Sequence, residues 1–234
     1  MTTKTFLLAA GEGTRLQPYT SVIPKSLLPI GGKPVLRWIL ERLKFHGLTD
    51  VVLCINRSFQ DQFEYHVSNS HNLGFNVEFS ISNRPLGTAG EIYNARKFID
   101  GPFILYYGDE LTKVNLTEMM RFHKTKKDGI GTLALVCGVP IEVGVVDANK
   151  DVICNFHEKP PFEKYTWAGI AILEPEILKF IKKPEGLDLA KDVFPSVIKS
   201  NKRLYAYKSD AVWLDVGGLA HYKIANEMAK KGQL

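Results

Sequence analysis

The stretch that most constrains this chain is Leu7–Pro29, LLAAGEGTRLQPYTSVIPKSLLP. Phe6–Ala10 is an apolar run and reads as a buried strand. It opens into a glycine turn at Gly11 and Gly13, followed by Thr14, Arg15 and, further on, Lys25. Such a turn presents bare backbone N–H groups to an anion, and a guanidinium and an ammonium nearby add fixed positive charge. The stretch therefore reads as a cradle for a triphosphate. Two rival phosphate motifs fail. The dinucleotide fingerprint needs a third small residue where Leu16 stands. The Walker pattern has no match, since Gly32-Lys33 is followed by Pro34 and Leu27 occupies the place of the first glycine.

The rest of the chain supplies a matching scaffold. Pro34 suits the first turn of a helix in which Val35, Leu36, Ile39, Leu40 and Leu43 recur at helical spacing, and Gly47 fits the stop. Val51–Ile55 and Val77–Ile81 read as strands, with a helix over Phe59–Val67 between them. Strand and helix alternate, which predicts right-handed βαβ units and a mostly parallel sheet. Phe103–Tyr107 is a further strand, Leu116–Lys127 a surface helix and Thr132–Val139 an apolar strand. Beyond it Val143–Val146, Val152–Phe156 and Trp167–Leu173 are β-rich runs joined by short polar links, read as a second lobe folded onto the same sheet. Leu187–Ser200 predicts a helix that Pro195 kinks or splits, Leu204–Tyr207 a strand, and the segment through Lys231 a last helix.

With 234 residues, 45% of them apolar, the chain can bury a real core within one large α/β domain. Lys plus Arg number 30 against 25 Asp plus Glu. That excess suits anionic small molecules, but no long basic run marks a nucleic-acid surface. Cys54, Cys137 and Cys154 lack metal-site spacing, which argues for a reducing compartment; Cys54 and Cys137 sit in apolar runs and read as core. No apolar segment approaches the ~20 residues of a membrane span, and a cytoplasmic location is expected.

Five segments carry candidate chemistry. The first is the loop. In the second, RPLGTAG, Gly87 and Gly90 flank Thr88, so backbone can approach a flat ligand closely; Thr88 also reads as a helix N-cap. Third, Gly108-Asp109-Glu110 ends a strand, where open α/β sheets place function, and Asp109 is a hard oxygen ligand for a divalent cation or else a turn aspartate. Fourth, Glu158-Lys159-Pro160 sets an acceptor and a cation side by side before a rigid proline, which suits sugar hydroxyls and a phosphate, or else an exposed ion pair. Fifth, VWLDVGG presents Asp215 after an apolar run, by itself best read as a helix N-cap.

Together, in this order, these segments resemble the motifs of the sugar-phosphate nucleotidyltransferases (nucleotide-sugar pyrophosphorylases), with the L-G-T-A-G wording most like the mannose-1-phosphate guanylyltransferase cores. The resemblance runs over essentially the whole chain. It implies a Rossmann-like α/β fold, a mixed and mostly parallel sheet flanked by helices with a small β-rich sugar-binding lobe. Residues 1–139 would form the nucleotide-binding part of a single domain, and residues 140–234 the sugar-phosphate part and closing helix. It implies nucleotide contacts at Ala10, Gly11, Gly13, Thr14, Arg15, Lys25, Gly87 and Thr88. Arg15, Lys25 and Asp109 would be catalytic, with Mg²⁺ on Asp109 and Asp215. Gly144 in VGVVD, Glu158, Lys159, and Trp167 and Gly169 at the place of the family's N-A-G would contact the sugar phosphate. The substrates implied are an NTP and a sugar 1-phosphate, GTP with mannose 1-phosphate or a related hexose or heptose 1-phosphate first, UTP or dTTP with glucose 1-phosphate second. A regulatory subunit is disfavoured because Arg15, Lys25, Asp109 and Asp215 all stand. A related glycosyltransferase is disfavoured because Asp109-Glu110-Leu111 offers D-E-L and not D-x-D. The chain is also shorter than members with a C-terminal β-helix domain, so that domain is expected to be absent; a homo-oligomer is left open.

Overall fold

In the computed structural model, which describes residues 3–69, 74–140, 143–182 and 185–234, a seven-stranded sheet runs through the centre. Its first half alternates strand and helix as the sequence predicts. β1 (Thr5–Leu8), α1 (Val35–Phe45), β2 (Asp50–Asn56), α2 (Gln60–Ser68), β3 (Asn76–Ser82), α3 (Gly87–Asn94) and β4 (Phe103–Tyr107) follow in turn. β3, β2, β1 and β4 lie side by side and parallel. The second half adds β5 (Glu110–Thr112), α4 (Leu116–Lys124), β6 (Gly129–Val136), β7 (Val145–Asn149), β8 (Val152–His157) and β9 (Thr166–Leu173). α5 (Phe194–Lys199), β10 (Arg203–Ser209), β11 (Trp213–Asp215) and α6 (Leu219–Lys230) complete it. The sheet order is β10-β6-β9-β4-β1-β2-β3, with β9 antiparallel to both its neighbours.

Both faces of the sheet are covered, and the period of two along each strand divides the core accordingly. Leu7, Val51, Leu53, Ile104 and Tyr106 face the helices α1, α2, α4 and α6. Phe6, Val52, Cys54, Phe103 and Leu105 face α3 and α5. That is why these strands read as near-continuous apolar runs. α1 docks through Val35, Leu36, Ile39, Leu40 and Leu43, each 3% exposed or less. Each such side chain contributes ~1.5–3 kcal/mol on burial, which outweighs the helix's lack of a side-chain N-cap.

Several expected elements are altered. Trp167–Leu173, expected in a second lobe folded onto the same sheet, is as β9 an inner strand of that sheet, between β4 and β6. Its apolar residues 168–173 are buried on both faces, a pattern that periodicity alone does not assign to one layer. What projects instead is the β7–β8 ribbon, whose residues are all exposed. Cys137 is exposed and not in the core, its thiol against the Glu163 carbonyl, because β6 ends one residue earlier. The surface helix α4 stops at Lys124, short of Lys127, and the segment before Pro195 is a π-turn over Leu189–Val193 that runs into α5.

The chain reverses direction between β1 and β4. From β1 it winds outward through β2 to β3, then α3 carries it back across the other face to β4, on the far side of β1. The loops after these two strands therefore diverge and leave a crevice at their C-terminal ends.

Candidate active site

The crevice is a cleft of about 490 Å³ lined by the loop after β1, the start of α3 and the turn after β4. A larger hollow, about 880 Å³, lies at the opposite ends of the parallel strands, around His123, Lys126, Glu174 and Lys202. Size does not locate the site here; the position of the chain reversal and the chemistry of the lining do.

The glycine loop is held from below. Gly13 is left-handed (φ +64°), and the buried Thr20 hydroxyl donates to its carbonyl at 2.8 Å. Leu16 is buried and anchors a short 3₁₀ turn, Thr14–Leu16, that projects Arg15 into the cleft. A second 3₁₀ turn, Lys25–Leu27, is fixed by buried Ser26 and Leu27, and so aims Lys25 inward. These buried residues explain the wording P-K-S-L-L: its apolar members position its cation. Across the cleft, a Cβ on Gly108 would lie 2.7 Å from the Leu8 carbonyl. A glycine there lets the end of β4 press against the end of β1 and places Asp109 beside Lys25.

Lys25 and Asp109 form an ion pair. Burial pushes the Asp109 carboxyl up from its ordinary range; the Lys25 ammonium pulls it back, and Asp215 adds to the rise. Arg15 reaches Asp215 at 3.2 Å. Asp215 sits at the end of β11, and its other oxygen accepts from the Gly217 amide at 2.6 Å. It is therefore not the N-cap of α6, a place taken by Gly218. The short antiparallel pair of β5 and β11 sets Asp215 directly opposite Glu110. Asp109, Glu110 and Asp215 each offer an oxygen, all within 4.8 Å of one another. This donor set, all hard carboxylate oxygen, fits a divalent cation of the magnesium type and does not fit zinc, which favours nitrogen and sulfur.

Ala10, Gly11, Gly13, Thr14, Arg15, Lys25, Gly87, Thr88, Asp109 and Asp215 all line this one cleft. Thr88 is not the N-cap of α3, a place taken by Leu86. Its hydroxyl donates to Asp188 and accepts from the Leu189 amide. Gly87 packs against the Leu187 carbonyl, so a loop from the second half of the chain latches the start of α3.

The residues expected on the sugar phosphate are placed elsewhere. Gly144 is exposed, at the base of the β7–β8 ribbon, where a Cβ would lie 2.7 Å from Phe156 and 3.4 Å from a Glu158 oxygen. Lys159 follows with φ +48°. Trp167 packs edge-on to Tyr107 and Phe194, with ring centres 5.1 Å apart in each case. Its indole N–H donates to the Ile170 carbonyl. Gly169 (φ +68°) is buried beneath Glu110, and a Cβ there would lie 2.8 Å from the Glu110 Cγ.

Two acids were not singled out by sequence. Glu110 was visible next to Gly-Asp, but only β5–β11 pairing shows that it faces Asp215. Glu91, one turn into α3, lines the cleft at 4% exposure. Its Oε1 accepts from Ser82 at 2.9 Å, and its Oε2 has no hydrogen-bond partner among the described residues. Burial pushes its carboxyl up to about 7, against the pull of Ser82 and the Leu86 amide.

The fold and the cleft define the class: a doubly wound α/β protein with an acid- and cation-lined site at the reversal point of its sheet. The chain belongs to the Nucleotidyl transferase family, whose model matches residues 4–232. It is 31% identical over 241 aligned positions to a UTP–glucose-1-phosphate uridylyltransferase of Synechocystis, covering 94% of this chain and 61% of that protein. It is 33% identical over 224 positions to the mannose-1-phosphate guanyltransferase of Saccharomyces cerevisiae, covering 92% and 61%. The chain thus spans about three fifths of the length of these curated relatives. Among solved structures, HddC of Yersinia pseudotuberculosis complexed with GMP-PN superposes with a TM-score of 0.75 at 26% identity, covering 96% of this chain and 98% of that one. Among the described residues no helix is long and apolar enough to cross a membrane.

Proposed function

We propose that this chain is a sugar-1-phosphate nucleotidyltransferase that makes an NDP-sugar and pyrophosphate from an NTP and a sugar 1-phosphate. GTP with mannose 1-phosphate, or a related hexose or heptose 1-phosphate, is the preferred pair. The observation that carries the reading is the convergence of the glycine loop, Arg15, Lys25, Asp109 and Asp215 on one cleft. The yeast guanyltransferase relative and the GMP-PN bound in the Yersinia structure favour GTP. The Synechocystis relative favours the second reading, UTP or dTTP with glucose 1-phosphate.

An oxygen of the sugar phosphate attacks the α-phosphorus; the bond to the bridging oxygen of the β-phosphate breaks, and its electron pair leaves with pyrophosphate. Little covalent work falls to the protein, so positioning and charge neutralisation dominate. The loop amides hold the triphosphate. Arg15 follows charge onto the departing pyrophosphate, and its planar fork suits two phosphate oxygens. Lys25 contacts the phosphate groups near the α-phosphorus. Lys159 anchors the sugar phosphate, with Glu158 and Gly144 on its hydroxyls; Trp167, packed between Tyr107 and Phe194, and Gly169, buried beneath Glu110, are left to shape the strand behind the site. Asp109 and Asp215 would hold Mg²⁺, which neutralises phosphate charge and orients the two reacting groups.

Before substrates arrive, each catalytic cation is paired with one of these aspartates. The ion pairs compensate these half-buried carboxylates, and the same two cations would be available to phosphate if the aspartates held a cation. The test is a matrix of five NTPs against several sugar 1-phosphates, read as pyrophosphate release. Release with GTP and mannose 1-phosphate above all other pairs is expected. Release with no pair refutes the activity, and preference for UTP or dTTP with glucose 1-phosphate selects the second reading.

A further inference from the structure

Asp109, Glu110 and Asp215 cluster in the cleft, but only two of these three are matched by cations. Lys25 pairs with Asp109 and Arg15 with Asp215, whereas Glu110 has no ion pair among the described residues. Glu110 is 6% exposed and its Oε2 has no hydrogen-bond partner there. The strand register places it directly opposite Asp215, an arrangement in which like charges destabilise an antiparallel pair. A neutral side chain would serve this strand pair better if structure were the sole requirement.

The neighbouring strand is shaped to admit this acid. Gly169 takes a left-handed conformation, interrupts the register of β9 against β6, and leaves the space that a Cβ would take from Glu110. A buried acid with an unmatched oxygen, aimed at two further carboxylates, is the arrangement expected of a ligand awaiting a cation.

We infer that Glu110 is a third protein ligand of the divalent cation, beside Asp109 and Asp215. The inference rests on the placement of that cation at the two aspartates under the proposed function. The spacing agrees: oxygens on opposite sides of a hard cation stand about 4–5 Å apart, for bonds of ~2.1–2.4 Å. With three carboxylates the protein holds the ion by itself, before any nucleotide brings phosphate oxygens.

The test is Mn²⁺ titration of the nucleotide-free protein, followed by calorimetry and by the electron paramagnetic resonance of unbound Mn²⁺. Glu110→Gln should bind Mn²⁺ at least tenfold more weakly than wild type. Glu110→Cys should raise the preference for Cd²⁺ over Mg²⁺ at least tenfold, since a thiolate favours the softer ion and a purely structural residue would not change that ratio. Asp215→Asn is run in parallel. Loss of Mn²⁺ affinity in Asp215→Asn with wild-type affinity in Glu110→Gln and an unchanged Cd²⁺ ratio overturns the role of Glu110 alone. Wild-type affinity in both variants overturns the placement of the cation as well. Should Glu110→Gln fail to fold, the Cd²⁺ ratio of Glu110→Cys decides the matter.

Discussion

Glu91→Gln tests the electrostatics of the cleft without touching its ion pairs. The Glu91 carboxyl is carried from an ordinary 4.5 to about 7 in the folded protein, chiefly by burial. Ionising it in the fold therefore costs about 3 kcal/mol more than in the unfolded chain. The folded state binds the proton more tightly, so this stability is fully present below pH 4.5 and is lost as pH rises through about 7. Glutamine cannot ionise and escapes the loss. It keeps an oxygen for Ser82, and it brings an NH₂ to the unpartnered side, at a cost of ~1–3 kcal/mol that does not depend on pH. Urea unfolding of both proteins in chelator, from pH 4.5 to 8.5, measures the difference. Asp109 and Glu110 titrate in both proteins and cancel. The variant should gain about 3 kcal/mol on wild type across that range, or ~6–12 °C in melting temperature for a domain of this size. A difference between the two proteins that stays flat with pH would refute the reasoning.

Other outcomes follow from the same geometry. Arg15→Ala should lower turnover ~10²–10³-fold, with poor rescue by Arg15→Lys, because a point charge cannot reproduce the planar fork. Steady-state kinetics decide; a wild-type kcat with only a raised KM would reduce Arg15 to a ground-state binder. Lys159→Ala should weaken sugar-phosphate use by ~2–4 kcal/mol and leave NTP binding nearly unchanged, as read from the two KM values. A raised KM for NTP alone would remove Lys159 from the sugar side. Gly169→Ala should destabilise the fold by ~2–4 kcal/mol, since a Cβ would strain a left-handed residue (φ +68°) and press on Glu110. Denaturant unfolding checks this, and a cost below ~1 kcal/mol would show that the strand yields.

Sequence by itself settled a good deal of this protein, because local rules govern those parts. The alternation of apolar runs with helical patterns determined the parallel half of the sheet. Phe103–Tyr107 is a strand within the very bounds its apolar run suggests, since Phe103, Ile104, Leu105 and Tyr106 are buried from both sides. The glycine turn after β1 and the Gly-Asp after β4 announced the cleft, for both lie where strands end and backbone must approach backbone. Tertiary structure decided what depends on residues far apart in the chain. That Trp167–Leu173 enters the sheet between β4 and β6 follows from burial on both faces, which an apolar run shares with other buried segments. Asp215 taken alone reads as a helix cap; Arg15, 200 residues away in sequence, draws it into the site. Glu110 gains its meaning from a three-residue strand pair that sets it against Asp215, and from a glycine on β9 that leaves it room. Electrostatic energy depends on distance through space, and the distances that matter here are set by strand pairing and not by spacing along the chain.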